Sequence, residues 1–321
     1  MALFATERKT FGFKKEASRG VGEATPTKHL AVGADSEFHY STALIPDEKI
    51  RGLKEKFPSV AGMLSGTANL NAIDVEAATV GDLLFGCLGA VATTQPDVVG
   101  APTVFQHSFT RLNALQMPAF SYFVDRGLSV KRYPLSVIKK LAFKGTANGK
   151  AQVDADLLFK TEESVAAFTP SYGVPKPLMF FQTDFKIEGA SDIDVKSWNL
   201  SIDNNSEALR SYNLSRDARD IVSKKPFDID GGFEIYFESE TQRAKFLAGT
   251  ASALNIILTG DILQGTQKAK LELSMQEIKY TAYPFGNVDD LLGAAVAFRA
   301  EYDPILLRSL EVILTNQVTG Y

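Results

Sequence analysis

Between residues 227 and 259 the hydrophobic pattern of the chain changes period twice. Phe233, Ile235 and Phe237 alternate with Glu234, Tyr236 and Glu238, the period-two pattern of a half-buried strand. Over 240–247 the register changes. Thr241 and Gln242 precede Ala244, Phe246, Leu247 and Ala248, a spacing that predicts a short helix with an apolar stripe and Gly249 at its C-terminal cap. Leu254, Ile256 and Leu258 then alternate again. The segment predicts strand, helix, strand, with a turn at Gly231-Gly232.

Period-two runs recur along the chain. Residues 38–44 and the small-residue run 60–70 predict strands, separated by a charged stretch that opens at Pro46 and suits a long loop or a short exposed helix. Residues 79–88 predict a helix: Thr79 can cap it, Asp82 falls in its first turn, Leu83, Leu84, Cys87 and Leu88 form a stripe, and Gly89 ends it. Residues 91–103 predict a loop. Phe105, His107 and Phe109 alternate, as do Phe120, Tyr122 and Val124. The strongest hairpin signal is Asn148-Gly149, between 141–144 and 151–159. In the second of those runs Ala151, Val153, Ala155, Leu157 and Phe159 share one face, and Gln152, Asp154 and Asp156 the other.

Residues 162–191 contain Pro170, Pro175 and Pro177, with 178–183 apolar enough for a strand. Runs at 195–202 and 208–214 flank a polar turn at Asp203-Asn204-Asn205, and a parity change between Val195 and Trp198 predicts a bulge near Ser197. Alternation at Leu271, Leu273 and Met275, then runs at 294–302 and 306–316, bring the total to about ten to twelve strands and two or three short helices. The fold class is mainly β, without a βαβ rhythm or a repeat of fixed period.

Composition narrows the functional classes. The 321 residues are 45% hydrophobic and 22% charged, enough for a full core. A formal net charge of -4 argues against a general nucleic-acid-binding surface. The lone Cys87 leaves no internal disulfide and no multi-cysteine metal site, and on its apolar stripe it reads as a buried structural thiol. No apolar run approaches the roughly 20 residues that span a bilayer. The first twenty residues carry charges throughout and lack a signal-peptide core, so a reducing cytosol, or an assembly built there, is the expected setting.

Catalytic motifs are missing. Gly20-Val-Gly22 lacks the third glycine of a dinucleotide fingerprint, and there is no P-loop. His29, His39 and His107 lie in separate segments without ligand spacing. Asp192-x-Asp194 and Asp228-x-Asp230-Gly231 lack the glycine and distal glutamate of a calcium loop and read as turns. No catalytic residue, metal ligand or cofactor is assigned.

The order of features resembles a known family. A glycine-rich arm (Val21-Gly22-Glu23-Ala24-Thr25-Pro26-Thr27) is followed by a charged loop and a small-residue strand with Gly62 and Gly66, then by the helix that ends near Leu88. Asn199-Leu200-Ser201-Ile202-Asp203-Asn204-Asn205 and the block around 231–260 follow. In this order they resemble the major tail tube proteins of long-tailed, siphovirus-like bacteriophages.

The resemblance implies a β-sandwich or partly closed barrel with short flanking helices, an N-terminal arm (1–35) and a long inter-ring loop (41–60). The main sandwich would span 105–321, with 162–226 the place for an insertion or outer subdomain. It implies a structural virion protein whose rings, of six subunits, stack into a hollow tube for DNA ejection; three subunits of a duplicated fold are the alternative. Tape measure, tail terminator and distal tail proteins would be partners, and DNA would pass without specific binding. The virion tail, assembled in the host cytoplasm, would be its location, with no membrane. Gln152, Asp154, Asp156, Glu234 and Glu238 are the candidates to face the lumen, where an acidic surface repels phosphate. Asp47, Glu48, Lys49, Arg51, Lys54, Glu55 and Lys56 are the candidate inter-ring contacts. The rival readings are a related ring former (a terminator or a secretion-system tube) and a β-sandwich module binding carbohydrate or receptor.

Overall fold

A computed structural model of the chain describes residues 8–52, 54–191, 195–211, 214–237 and 240–321. Its first part runs β1 (Thr10–Lys15), β2 (Lys28–Leu30), β3 (Glu37–Asp47), β4 (Phe57–Asp74), α1 (Val80–Leu88), β5 (Gly89–Thr94), β6 (Phe105–Arg111), β7 (Phe120–Asp125), β8 (Val130–Thr146), β9 (Gln152–Phe159) and β10 (Glu163–Val165). After a 3-10 turn (Phe180–Gln182) come β11 (Thr183–Ile187), β12 (Ala190–Ser191), β13 (Val195–Asp203), β14 (Ser206–Leu209), β15 (Asp220–Ser223) and β16 (Asp228–Tyr236). The chain ends α2 (Thr241–Ala248), β17 (Ser252–Gln264), β18 (Gln267–Ala282), β19 (Phe285–Val288), β20 (Leu291–Ala300) and β21 (Glu311–Asn316). The fold is mainly β, a sandwich with short helices, and no sheet of the described residues closes into a barrel.

The predicted strand–helix–strand segment is present as β16, α2 and β17, with Gly249 in the left-handed conformation (φ 62°) at the helix end. Gly231 and Gly232 are not a turn: they lie inside β16. A Cβ on Gly231 would stand 2.5 Å from the Phe298 ring and 2.7 Å from the Asn199 carbonyl, so close packing explains the glycine there. The Asn148-Gly149 hairpin joins β8 to β9, with Asn148 at φ 64°. The bulge between Val195 and Ser197 is also present. Other expectations fail as well: Thr79 stands at the N-terminus of α1 but makes no side-chain capping bond. Residues 91–94 complete β5 instead of starting a loop, 180–182 form a 3-10 turn ahead of a strand that begins at Thr183, and the last strand starts at Glu311, not 306.

α1 lies within the core, with all nine residues buried. Burying Leu83, Leu84 and Leu88 contributes about 1.5–3 kcal/mol each. Asp82 in the first turn pairs with Lys28 at 2.7 Å. Strand β8 bends from one sheet to another: 130–136 pair with β7, and 137–144 with β9. The bend falls at Leu135 (φ 51°), next to Pro134, and its N–H donates to buried Glu16 Oε1 at 2.7 Å. The described part of 1–35 packs on its own subunit, because β1 pairs with β7 and buries Phe11 and Phe13. In 162–226, β11 pairs with β17, and β13 with β8 and β16; β14 and β15 form a separate ribbon.

Strand pairing repeats within the chain. β1–β2, β1–β7, β3–β4, β4–β9, β7–β8 and β8–β9 are antiparallel in the first half. β11–β12, β11–β17, β13–β16, β16–β20, β17–β18 and β18–β20 repeat them in the same chain order in the second. In each half a helix follows the central strand (α1 after β4, α2 after β16) and ends on a left-handed glycine, Gly89 or Gly249. The chain is therefore two copies of one topology. β8 of the first pairs with β13 of the second, fusing both into one sheet in the order β3–β4–β9–β8–β13–β16–β20.

Candidate functional site

Along this fused sheet one face is buried and the other is polar. Cross-strand neighbours point to the same side, so the register assigns the rows. Asn69, Asp156, Lys140, Asp203 and Asp228 form one row across β4, β9, β8, β13 and β16. A second row includes Asp154, Ala142, Ser201, Asp230 and Arg299, and a third Asp74, Gln152, Lys144, Asn199 and Gly232. Ser197 and Glu234 begin a fourth. Four candidates drawn from two distant segments, Gln152, Asp154, Asp156 and Glu234, thus share one surface. Glu238 lies outside the described residues.

Ion pairs lie across this surface: Lys144–Asp154 at 2.7 Å, Lys150–Asp74 at 2.6 Å and Arg299–Asp230 at 2.9 Å. Asp154 also has a structural task. Its Oδ1 accepts the Ala72 N–H at 2.7 Å, where β4 bulges and Ala72 sits at φ 51°. Partial burial raises the pKa of Asp156, against the opposing pull of Lys140 and Lys139. Glu234 accepts from Ser197 Oγ at 2.9 Å.

The second surface is the β3–β4 ribbon. Pairing continues from Glu37–Asn69 out to Asp47–Phe57, so the loop expected at 41–60 is largely a two-stranded hairpin. Asp47, Glu48, Lys49, Arg51, Lys54, Glu55 and Lys56 sit at or beside its tip, with Arg51 paired to Asp47 at 2.5 Å and stacked on Phe57 at 4.2 Å. Sequence reasoning missed the ribbon's apolar character. Leu44, Ile45 and Val60 are exposed, and Ile50 is 98% exposed. The ribbon is held at its base by Arg216, whose carbonyl accepts from the Leu64 N–H at 2.9 Å, and apolar side chains farther out on a two-stranded ribbon have no core of their own to enter. The signal lay in Leu44-Ile45, directly before the charged stretch.

The junction between the halves is built around Asn204, read in the sequence as a turn residue. It is fully buried. Its Nδ2 donates to the Cys87 carbonyl (2.6 Å) and the Ile138 carbonyl (3.2 Å), and its Oδ1 accepts from Arg111. It thereby caps a free C-terminal carbonyl of α1.

No group of three or more His, Cys, Asp or Glu among the described residues could hold a metal ion. Burial pushes the Cys87 thiol up to about 12, so it stays protonated at neutral pH. His107 is buried against Thr93, Asn316 and the Val318 carbonyl; His29 lies by the Phe168 and Tyr172 rings, and His39 is exposed. Asp228 and Asp230 are engaged by Asn205 and Arg299, while Asp192 and Asp194 lie outside the described residues. No helix of the described residues is long and apolar enough to cross a membrane.

The sheet thus has one polar face, and the ribbon beside it carries exposed apolar side chains. Residues 6–300 match the family model described as phage tail tube protein. The chain belongs to the phage tail tube protein family. It is accordingly a component of a virion tail, and the family implies self-assembly into a tube with other tail proteins. The match spans both halves of the duplicated topology, so the tail tube assignment covers the whole polar face and the ribbon. No curated protein matches the chain.

Proposed function

We propose that this tail tube protein polymerises into stacked rings whose inner wall is the polar face of the fused sheet, forming the conduit for DNA ejection of a siphovirus-like tail. The observation that carries the reading is the joining of two topological copies into one sheet with a continuous, acid-bearing face. Asp74, Asp154, Asp156, Asp203, Asp228, Asp230 and Glu234 outnumber the bases interleaved with them. Such a wall repels phosphate and lets a duplex slide. Each copy carries two equivalent units, which favours three copies per ring in pseudo-sixfold order over the six expected from sequence. Asp47, Glu48, Lys49, Arg51, Lys54, Glu55 and Lys56, at or beside the ribbon tip, contact the next ring. Tape measure, terminator and distal tail proteins meet the tube along its length and at its ends, and assembly takes place in the host cytoplasm.

A Ser201→Cys variant tests the wall. Ser201 lies mid-face, between Ala142 and Asp230. In free subunits a maleimide carrying a bulky polymer labels it. In assembled tubes that reagent is excluded and a small maleimide still enters. Equal labelling by the bulky reagent in both states rejects the lumen assignment.

A further inference from the structure

Residues 302–307, on the connection from β20 to β21, form a tight apolar projection. Ile305 is 86% exposed and Leu307 70%, with Tyr302 and Leu306 exposed beside them. The projection is fastened from within. Buried Asp303 accepts the Ile305 N–H at 2.7 Å and the Leu306 N–H at 3.2 Å through Oδ1, and its own N–H donates to the Arg308 carbonyl at 3.0 Å. Just before it the Glu301 N–H donates to the Glu277 carbonyl at 2.7 Å, and just after it Leu310 is buried. Leu307 stands at φ 56°, a conformation that bulky residues rarely adopt. The chain thus holds bare aliphatic side chains in a fixed shape, out of its own core and in water.

A matching hollow lies at the far end of the same strand. Beyond Asn316, where β21 ends, a cavity of about 310 Å³ is lined by Ala77, Val174, Pro177, Leu178, Leu263 and Val318. Val174, 83% exposed, stands at its mouth. The six residues of β21 separate hollow from projection by about 20 Å of strand, so the projection does not reach the hollow of its own copy. The registers also place the two toward opposite ends of the fused sheet. The row Asn69–Asp228 lies toward one end and the row Asp74–Gly232 toward the other. β20 runs out past Arg299 at the first end, where the ribbon also leaves. β4 runs out past Asp74 at the second, where Glu76 and Ala77 enter the wall of the hollow.

We propose that residues 302–307 of one copy seat in this hollow of a copy in the next ring, with Ile305 entering first. The inference rests on the stacked-ring reading above and adds a second stacking contact behind the ribbon tip. The occupant is another copy of this chain because ribbon tip and projection leave the same end of the sheet. A neighbour that receives one presents its opposite end, and with it the hollow, to the other. The surfaces match in chemistry, aliphatic against aliphatic, and each copy supplies one of each, so every projection finds one hollow in a head-to-tail stack. Seating Ile305 and Leu307 there removes from water the side chains that the free subunit leaves wet.

The test mixes two singly substituted proteins, Ile305→Cys and Val174→Cys, under mild oxidation at assembling concentrations. A covalent dimer formed by the mixture and by neither variant alone is expected, with Cys87 buried in both. Two further variants supply a second readout. Ile305→Ser shortens the knob, and Ala78→Phe narrows the hollow from an exposed position on its wall. Each should leave the urea midpoint of the dilute subunit unchanged and raise the concentration needed for tubes at least tenfold. Tubes that form without the mixed dimer, or either variant forming tubes at the wild-type concentration, overturn the contact while leaving the tube reading intact. Absence of any assembly by the wild type overturns both.

Discussion

Asn204→Ala removes the polar link between the two halves without touching any exposed surface. Its Nδ2 is the donor to the Cys87 carbonyl at 2.6 Å and the Ile138 carbonyl at 3.2 Å, and its Oδ1 is an acceptor for Arg111. Because Asn204 is fully buried, no water replaces these partners at once. Each buried acceptor left without a donor costs about 1–2 kcal/mol, and the lost bond to a charged guanidinium about 1 kcal/mol more. The sum is about 3–5 kcal/mol, a large share of the about 5–15 kcal/mol that holds a typical domain folded. Urea unfolding of dilute subunits, followed by tryptophan fluorescence, reads the change; Trp198 is buried on β13 beside the junction and reports its opening. The neighbouring Asn205→Gly serves as the control. Asn205 sits at φ 50°, which glycine adopts freely, and its bonds to the Pro226 carbonyl and Asp228 are exposed, so its loss should stay below about 1 kcal/mol. A loss below about 1 kcal/mol for Asn204→Ala refutes the claim that this residue wires the halves together.

Three further outcomes follow from the same structure. Burial lowers the pKa of His107 and of His29, so the folded state binds fewer protons than the unfolded chain. Stability should fall as pH drops below about 6.5, and His107→Gln should flatten part of that slope between pH 7 and 5 in thermal melts; an unchanged slope contradicts it. Gly231→Ala places a Cβ 2.5 Å from the Phe298 ring and 2.7 Å from a backbone oxygen that cannot yield, and should cost about 1–3 kcal/mol in urea unfolding. Ile50→Asp, at a side chain 98% exposed, should leave subunit stability within about 0.5 kcal/mol while sedimentation shows fewer, shorter assemblies; assemblies of wild-type length would remove the ribbon tip from ring stacking.

Where one face of a strand is buried and the other wet, the sequence shows it. β9 and β16 alternate cleanly because Val153, Ala155, Phe233 and Ile235 enter the core while Asp154, Asp156 and Glu234 do not. The same pattern brought four candidate residues to one surface. Where burial comes from elsewhere, the pattern misleads. Gly231-Gly232 resembles a turn because nothing local reveals the Phe298 ring beside it. Asn204 resembles a turn residue because its partners, Cys87, Arg111 and Ile138, lie far off in the chain. The duplication left no residue-level trace for a related reason. Equivalent positions have opposite surroundings: Cys87, two residues before Gly89, is in the core, and Leu247, two before Gly249, is in solvent, so the two halves differ in hydrophobic pattern there. The apolar ribbon was hidden by the charges around its tip.

Electron microscopy of the purified protein over a rising concentration series tests the central claim most directly. The account predicts hollow tubes of stacked rings, each ring with three copies and near-sixfold density around its channel. Compact monomers at every concentration, with no ring or tube, would contradict it.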